Sequence, residues 1–236
     1  MSFSKQWEGR YSDNTHLSVW PWSDLVSYFH RYAKPFSIHT KVLEIGFGAG
    51  ANIPFFKSLG VAYSGIEGSR TIHSRVCASF PELAARLYQG DFVSFNLPES
   101  YDVIVDRAAM THNSTIAIKN GLNRLGRHLP VGGKYIGIDW FSTNHSDFSA
   151  GEAVDEFTRT DIPEGPFAGL GNVHFSTKEH IVELFSEAGL RLTQLEYKQC
   201  TEEVPAGGGL FAAWNFVAEK VQGAPSTAML PNAAGN

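Results

Sequence analysis

The chain has 236 residues, a formal net charge of -5 and 43% hydrophobic residues, which suits one α/β core with an appendage or two. The acidic balance offers no basic footprint for a phosphate backbone, so no nucleic-acid partner is expected. Cys77 and Cys200 stand alone, the opening M1-S-F-S-K-Q-W lacks a signal-like apolar run, and no stretch reaches the ~18 apolar residues of a membrane span, so a metal-free, disulfide-free cytoplasmic protein without membrane contact is expected.

Residues 1–36 carry Phe3, Trp7, Tyr11, Trp20, Trp22, Tyr28, Phe29, Tyr32 and Phe36, a density of aromatic rings that predicts a lid or docking segment. Residues 37–221 read as the main domain. From about Lys41, β-branched apolar runs alternate with helical periodicity, the pattern of a mostly parallel sheet covered by helices. Strands are predicted at 41–46, 62–67, 86–89, 101–106 and 134–140, with helices over 51–60 and 115–128. Each strand ends at or just before Gly, Asp or Glu, and ligands in such sheets gather outside the carboxyl ends of the strands. Residues 141–175 form a Gly/Pro-interrupted insertion, of a length that is usually functional or disordered. A helix follows over 176–189, with Ser176 and Glu179 as a capping box and Ile181, Leu184, Phe185 and Ala188 on one face. Strand-like segments 190–198 and 211–220 are joined through Pro205 to Gly209, too short for a helical crossover, so they should pair antiparallel. The tail 222–236 reads as disordered.

The chemistry concentrates at the strand ends. In E44-I-G46-F-G48-A-G50 an apolar strand runs into glycines and then a helix with an early Pro54, so a ligand can lie against bare backbone at a helix N-terminus. Gly46, Gly48 and Ala51 also satisfy the G-x-G-x-x-A pattern of dinucleotide-binding folds, and a tight turn that binds nothing is a third reading. Glu44 would repel a pyrophosphate but attract an ammonium or sulfonium, which favours a cationic cofactor. Glu67 ends the second strand, where an acid can accept hydrogen bonds from both ribose hydroxyls. Asp91 and Phe92 follow the third strand and offer a carboxylate and a ring to an adenine.

In order, V-L-E-I-G-F-G-A-G, G-I-E-G-S, G-D-F, Y-D-V-I-V-D-R and L-P-V-G-G-K resemble the class I S-adenosylmethionine-dependent methyltransferases over about residues 40–220. The resemblance implies S-adenosyl-L-methionine as cofactor and an α/β, Rossmann-like sheet with helices on both faces, strand order 3-2-1-4-5-7-6, strand 7 antiparallel. It implies that Gly46, Gly48 and Gly50 border the methionine and ribose parts, that Glu67 holds the ribose, and that Asp91 and Phe92 frame the adenine. Glu44, Gly68, Ser69 and Asp106 complete the expected cofactor set. An N-P-P-Y-type motif, which in this family marks amino-group methylation of nucleobases or glutamine, is missing after the fourth strand. The run D106-R-A-A-M-T-H112 instead is similar to small-molecule and natural-product methyltransferases. O-methylation of a hydroxyl or carboxyl on a small metabolite, sugar or short peptide, within a biosynthetic pathway, is therefore expected.

A hydroxyl acceptor needs a base, worth roughly 10²–10⁴-fold, whereas a carboxylate needs none. His112, after the fourth strand, leads as base, with backbone bonding at a helix start as its other reading, and His145 is second. Arg107 can bind an acidic acceptor or pair with Asp106. Asp139 and Trp140 at the fifth strand end, His174 before the capped helix, and Trp20 and Trp22 in the aromatic segment complete the acceptor candidates. The competing functions are an NAD-dependent oxidoreductase, favoured by the glycine pattern and Glu67, and a non-catalytic nucleoside-binding module.

Overall fold

The computed structural model describes residues 5–204 and 208–222. Phe3, the turn residues Pro205 to Gly207 and the tail from Gly223 lie outside the described residues. Ten strands are present among those described: β1 (Lys41–Ile45), β2 (Ala62–Glu67), β3 (Leu87–Gln89), β4 (Val103–Arg107), β5 (Lys134–Phe141), β6 (Glu152–Ala153), β7 (Thr158–Thr160), β8 (Val173–His174), β9 (Leu190–Thr201) and β10 (Leu210–Lys220). The main sheet has the order β3-β2-β1-β4-β5-β10-β9. Its first five strands are parallel, and β10 runs antiparallel to both β5 and β9. Leaving aside the short strands β6 to β8, this is the expected order 3-2-1-4-5-7-6.

Pleating decides which residues enter which layer, because successive side chains on a strand point to opposite faces. Val42, Val103, Val105, Ile136 and Ile138 therefore join one core with Leu25 and Phe29 of α2 (Ser23–Tyr32), Phe56 of α3 (Ile53–Leu59) and Val76 of α4 (Arg70–Ser79). Leu43, Ile45, Ile104 and Tyr135 join the other with Ile118, Leu122 and Leu125 of α5 (Thr115–Arg127) and Ile181, Leu184 and Phe185 of α6 (Lys178–Glu187). Each such aliphatic side chain, fully buried, contributes roughly 1.5–3 kcal/mol. The strands are thus apolar on both faces, as parallel strands covered on both sides must be.

The helix at 178–187 starts one residue differently from the sequence reading. Thr177, not Ser176, is the cap, its hydroxyl accepting from His180 N at 3.1 Å. Ser176 instead bridges to Ser142 and pairs with His174. The insertion 141–175 folds on its own cluster of Phe141, Ile162, Phe167, Leu170, Val173 and Phe175 and carries a small sheet of order β6-β7-β8. No helix among the described residues is long and apolar enough to cross a membrane.

Candidate active site

A cavity of about 260 Å³ opens at the carboxyl ends of β1, β2 and β4. It is lined by the loop from Gly46 to Gly48, by the acids Glu44 and Glu67, and by Phe92, Arg107 and His112. Trp7 and Tyr11 of α1 (Lys5–Ser12), with Trp22 before α2, cover it.

Gly46 and Gly48 take φ of 64° and 51°, a left-handed conformation in which a side chain is strained. A Cβ on Gly46 would come within 2.4 Å of the Ala109 methyl, and one on Gly48 within 3.0 Å of the Tyr11 hydroxyl. Bare backbone is therefore required at both places, and it borders the cavity. Glu67 is held by backbone alone: Gly48 N donates to Oε2 and Ser69 N to Oε1, each at 2.9 Å. Burial raises its pKa, against the lowering effect of those donors. Glu44 accepts from Asn52 Nδ2 at 2.7 Å and from the Tyr63 hydroxyl at 2.6 Å, and burial pushes its pKa up to about 7. The cavity thus holds two buried carboxyl groups, a surrounding that welcomes a cation.

His112 ends a short 3₁₀ turn, Met110–His112, that Asp106 builds by accepting the N–H groups of Ala109 at 2.8 Å and Met110 at 3.2 Å. The ring's Nδ1 lies 3.3 Å from the Asn172 carbonyl oxygen, which can only accept, so Nδ1 carries the proton and Nε2 keeps a lone pair. Trp7 packs edge-on against it at 5.0 Å. Burial lowers its pKa to about 4, assisted by the charge of Arg107. His112 is therefore held in its neutral form with a lone pair on Nε2, and its ring also bonds backbone through Nδ1, as the alternative reading expected.

The structure brings Glu44, Gly46, Gly48, Glu67, Gly68, Phe92, Arg107, His112 and Trp22 to one cavity. Ser69 stands just behind, capping α4 through its hydroxyl to Ile72 N at 3.2 Å. Several expected residues lie elsewhere. Gly50 turns toward the core, where a Cβ would meet Ile53, Val76 and Phe80. Asp91 is off the wall, its carboxylate accepting from Val93 N at 3.0 Å in a turn. Asp106 points into the fold, where it also accepts from the Tyr135 hydroxyl at 3.0 Å and Trp140 Nε1 at 2.7 Å; it shapes the site without lining it. Trp140 is wholly buried as that donor. His145 caps a turn by accepting from Asp147 N at 3.1 Å and sits among Phe141, Phe167, Phe175 and Phe211, away from the cavity. His174 is buried between the hydroxyls of Thr158 and Ser176, each at 3.1 Å. Trp20 stands 82% exposed and off the cavity wall. Asp139 sits behind Arg107, joined to it at 3.0 Å, so the partner of Arg107 is Asp139 and not Asp106.

Sequence reasoning missed Asn52. It bridges Glu44 to the covering segment, since its Oδ1 accepts from Trp22 N at 3.1 Å. A polar residue two positions beyond Gly50 was the available signal. It also missed Tyr11, named only among the aromatic residues, whose hydroxyl pKa is raised by burial and by the charge of Glu67; only the tertiary placement of α1 reveals it.

No family model matches the chain. It is 33% identical over 111 residues to an uncharacterized methyltransferase of Bacillus licheniformis, so the match spans 47% of this chain and about half, 52%, of that curated relative. Among solved structures it is similar to an S-adenosylmethionine-dependent methyltransferase of Methanosarcina mazei, at 17% identity and TM-score 0.65 over 87% of this chain and 99% of that one. It is also similar to an amino pentose methyltransferase of Micromonospora echinaspora involved in calicheamicin biosynthesis, at 20% identity and TM-score 0.57 over 94% and 98%. A sugar N-methyltransferase of Streptoalloteichus shares 16% identity at TM-score 0.58 over 94% of both chains. The chain has the Rossmann-like fold of these enzymes.

Proposed function

We propose that this chain transfers a methyl group from S-adenosyl-L-methionine to an oxygen of a small metabolite, sugar or short peptide, with 37–221 as the catalytic domain and 1–36 as its cover, acting in the cytoplasm. The observation that carries the reading is one cavity that joins a bare glycine loop, two buried carboxyl groups, an aromatic ring and a neutral imidazole. The cofactor fits these residues. Gly46 and Gly48 leave backbone open, Glu67 keeps spare lone pairs for two ribose hydroxyls, and Phe92 offers a ring face to the adenine. Glu44, its pKa pushed up to about 7 by burial, is a carboxyl group that a nearby cationic centre would favour in its ionised form. When bound, the cofactor supplies an electrophilic methyl group on a sulfonium.

This chain's residues position and activate. Trp7, Tyr11 and Trp22 exclude water, and well-oriented reactants account for about 7–11 kcal/mol of a barrier. His112 Nε2 accepts the proton of the acceptor hydroxyl, while its Nδ1–H stays anchored on the Asn172 carbonyl. Sugars enter the proposed acceptor range because two proteins of similar fold are described as acting on an amino pentose and on a sugar nitrogen. An NAD-dependent reaction fits less well, because Glu44 would set an acid beside a pyrophosphate and the sheet ends in the antiparallel pair β10 and β9. Replacing Glu67 by Ala should weaken S-adenosylmethionine binding by about 1.5–3 kcal/mol, the range for hydrogen bonds to a charged group. Unchanged affinity by calorimetric titration would remove Glu67 from the cofactor site.

A further inference from the structure

The wall that carries Arg107 has its charges settled among themselves. Arg107 Nη2 donates to Asp139 Oδ2 at 3.0 Å; Lys198 Nζ donates to Asp139 Oδ1 at 2.6 Å and to Asp24 Oδ2 at 2.7 Å. Asn215 closes the ring, its Nδ2 donating to Asp24 Oδ2 at 3.2 Å and its Oδ1 accepting from Asp139 N at 2.9 Å. Two cations and two anions sum to zero within this network. Among the described residues lining the cavity, Arg107 is the one Lys or Arg, and its guanidinium lies 3.5 Å from the centre of the Trp22 ring. His112 and His16, the other basic groups on the wall, are held toward their neutral forms by burial.

We infer that the acceptor is an uncharged, hydroxyl-bearing ring compound, and that carboxylates and phosphates are rejected. The inference rests on the methyltransferase reading and narrows its acceptor. An anion on this wall would find the guanidinium already matched by Asp139 and two acids, Glu44 and Glu67, on the same cavity, so the chain itself would offer it no unmatched cation and only the bound cofactor's sulfonium would face it. A neutral hydroxyl meets no such penalty and finds a proton acceptor in His112 Nε2. The indoles of Trp7 and Trp22 supply flat apolar surface on which a phenolic ring or the C–H face of a sugar can lie. Asp139 and Lys198 act here as specificity-determining residues that never touch the acceptor: they cancel the charge of Arg107.

Phenol and benzoate are matched probes, alike in ring and unlike in charge at pH 7. Ligand-observed NMR titration of each, with and without saturating S-adenosylhomocysteine, should show phenol binding the unaltered protein at least about tenfold more tightly. Asp139→Asn removes one anion from the network and should shift the preference toward benzoate by about tenfold. Asp24→Asn, on the more exposed side of the network, should shift it the same way by less, and serves if the first variant does not fold. Benzoate binding the unaltered protein as well as phenol, neither probe binding, or no shift in a folded variant would each overturn the inference. Failure of S-adenosylhomocysteine to bind would instead strike the methyltransferase reading, and the titrations without it would still decide between neutral and anionic ligands.

Discussion

His112 owes its chemistry to its backbone partner and its cage. The Asn172 carbonyl fixes which nitrogen holds the proton, and the ring of Trp7 keeps water from it. An ordinary imidazole, with pKa near 6.5, would lose its lone pair as pH falls below that value. Here burial lowers the pKa to about 4, so the lone pair is available above that value. On the proposed role, kcat at saturating substrates should stay level from pH 8 down to about 5 and fall only toward 4. His112→Ala should keep its S-adenosylmethionine affinity, lose roughly 10²-fold in kcat, and regain rate at high pH as the acceptor ionises unaided. Full activity in that variant would return the search for a base to other residues. At this scale the sequence was legible wherever a strand end dictated position, as for Glu44, Gly48, Glu67 and His112. It was misleading for Asp106, His145 and His174, because the same strand-end logic cannot tell a side chain facing the cavity from one facing the fold.

Among the described residues that line the cavity, Trp7, Tyr11, His16, Ser18 and Trp22 come from α1 and the segment leading to α2, and none comes from the insertion. Glu8 accepts from Thr71 at the start of α4, Arg10 Nη2 donates to the Ala168 carbonyl at 2.6 Å, and Trp22 N donates to Asn52. These few polar contacts hold a short helix over the glycine loop. The insertion 141–175 stands behind the site: the Asn172 carbonyl and the Phe141 ring, 6.1 Å away, meet His112, Ala168 anchors Arg10, and Phe141, Phe167 and Phe175 pack on one another. Hydrogen exchange should therefore slow across 5–22 when S-adenosylhomocysteine binds, and change little across 146–170, which is already closed on its own core. Equal slowing in both segments would mean that the insertion also closes over the ligand. The aromatic density of residues 1–36 marked a segment whose Trp7, Tyr11 and Trp22 line the cavity. The reach of the insertion was not legible, because Gly/Pro spacing marks an irregular segment without saying which surface it packs against.

For the molecule as a whole, the alternation of strands and helices and the terminal antiparallel pair made the topology legible, since two strands joined by a short turn leave no room for a crossover. The charged groups that the fold buries set its pH response, and composition says nothing of them. Glu44 and Asp106 have folded pKa values raised to about 7 and 6 by burial. The stability they contribute is fully present below their ordinary values near 4 and is lost as pH rises through 6 and 7. His112 and His174, lowered to about 4 and 3, act oppositely: their contribution is present above pH 6.5 and lost as pH falls toward 4. Glu44→Gln removes one of the first pair. The Tm of that variant, minus that of the unaltered protein, should become more positive between pH 5 and pH 8; a constant difference would mean that Glu44 is not held protonated by burial.

On the proposed function the cavity takes an adenosyl sulfur cofactor and not a dinucleotide. Calorimetric titration of the unaltered protein with S-adenosylhomocysteine and, separately, with NAD tests it most directly. S-adenosylhomocysteine should bind at one site per chain with micromolar or tighter affinity, on the order of -8 kcal/mol, and NAD should give no saturable heat. Saturable binding of NAD with none of S-adenosylhomocysteine would contradict it.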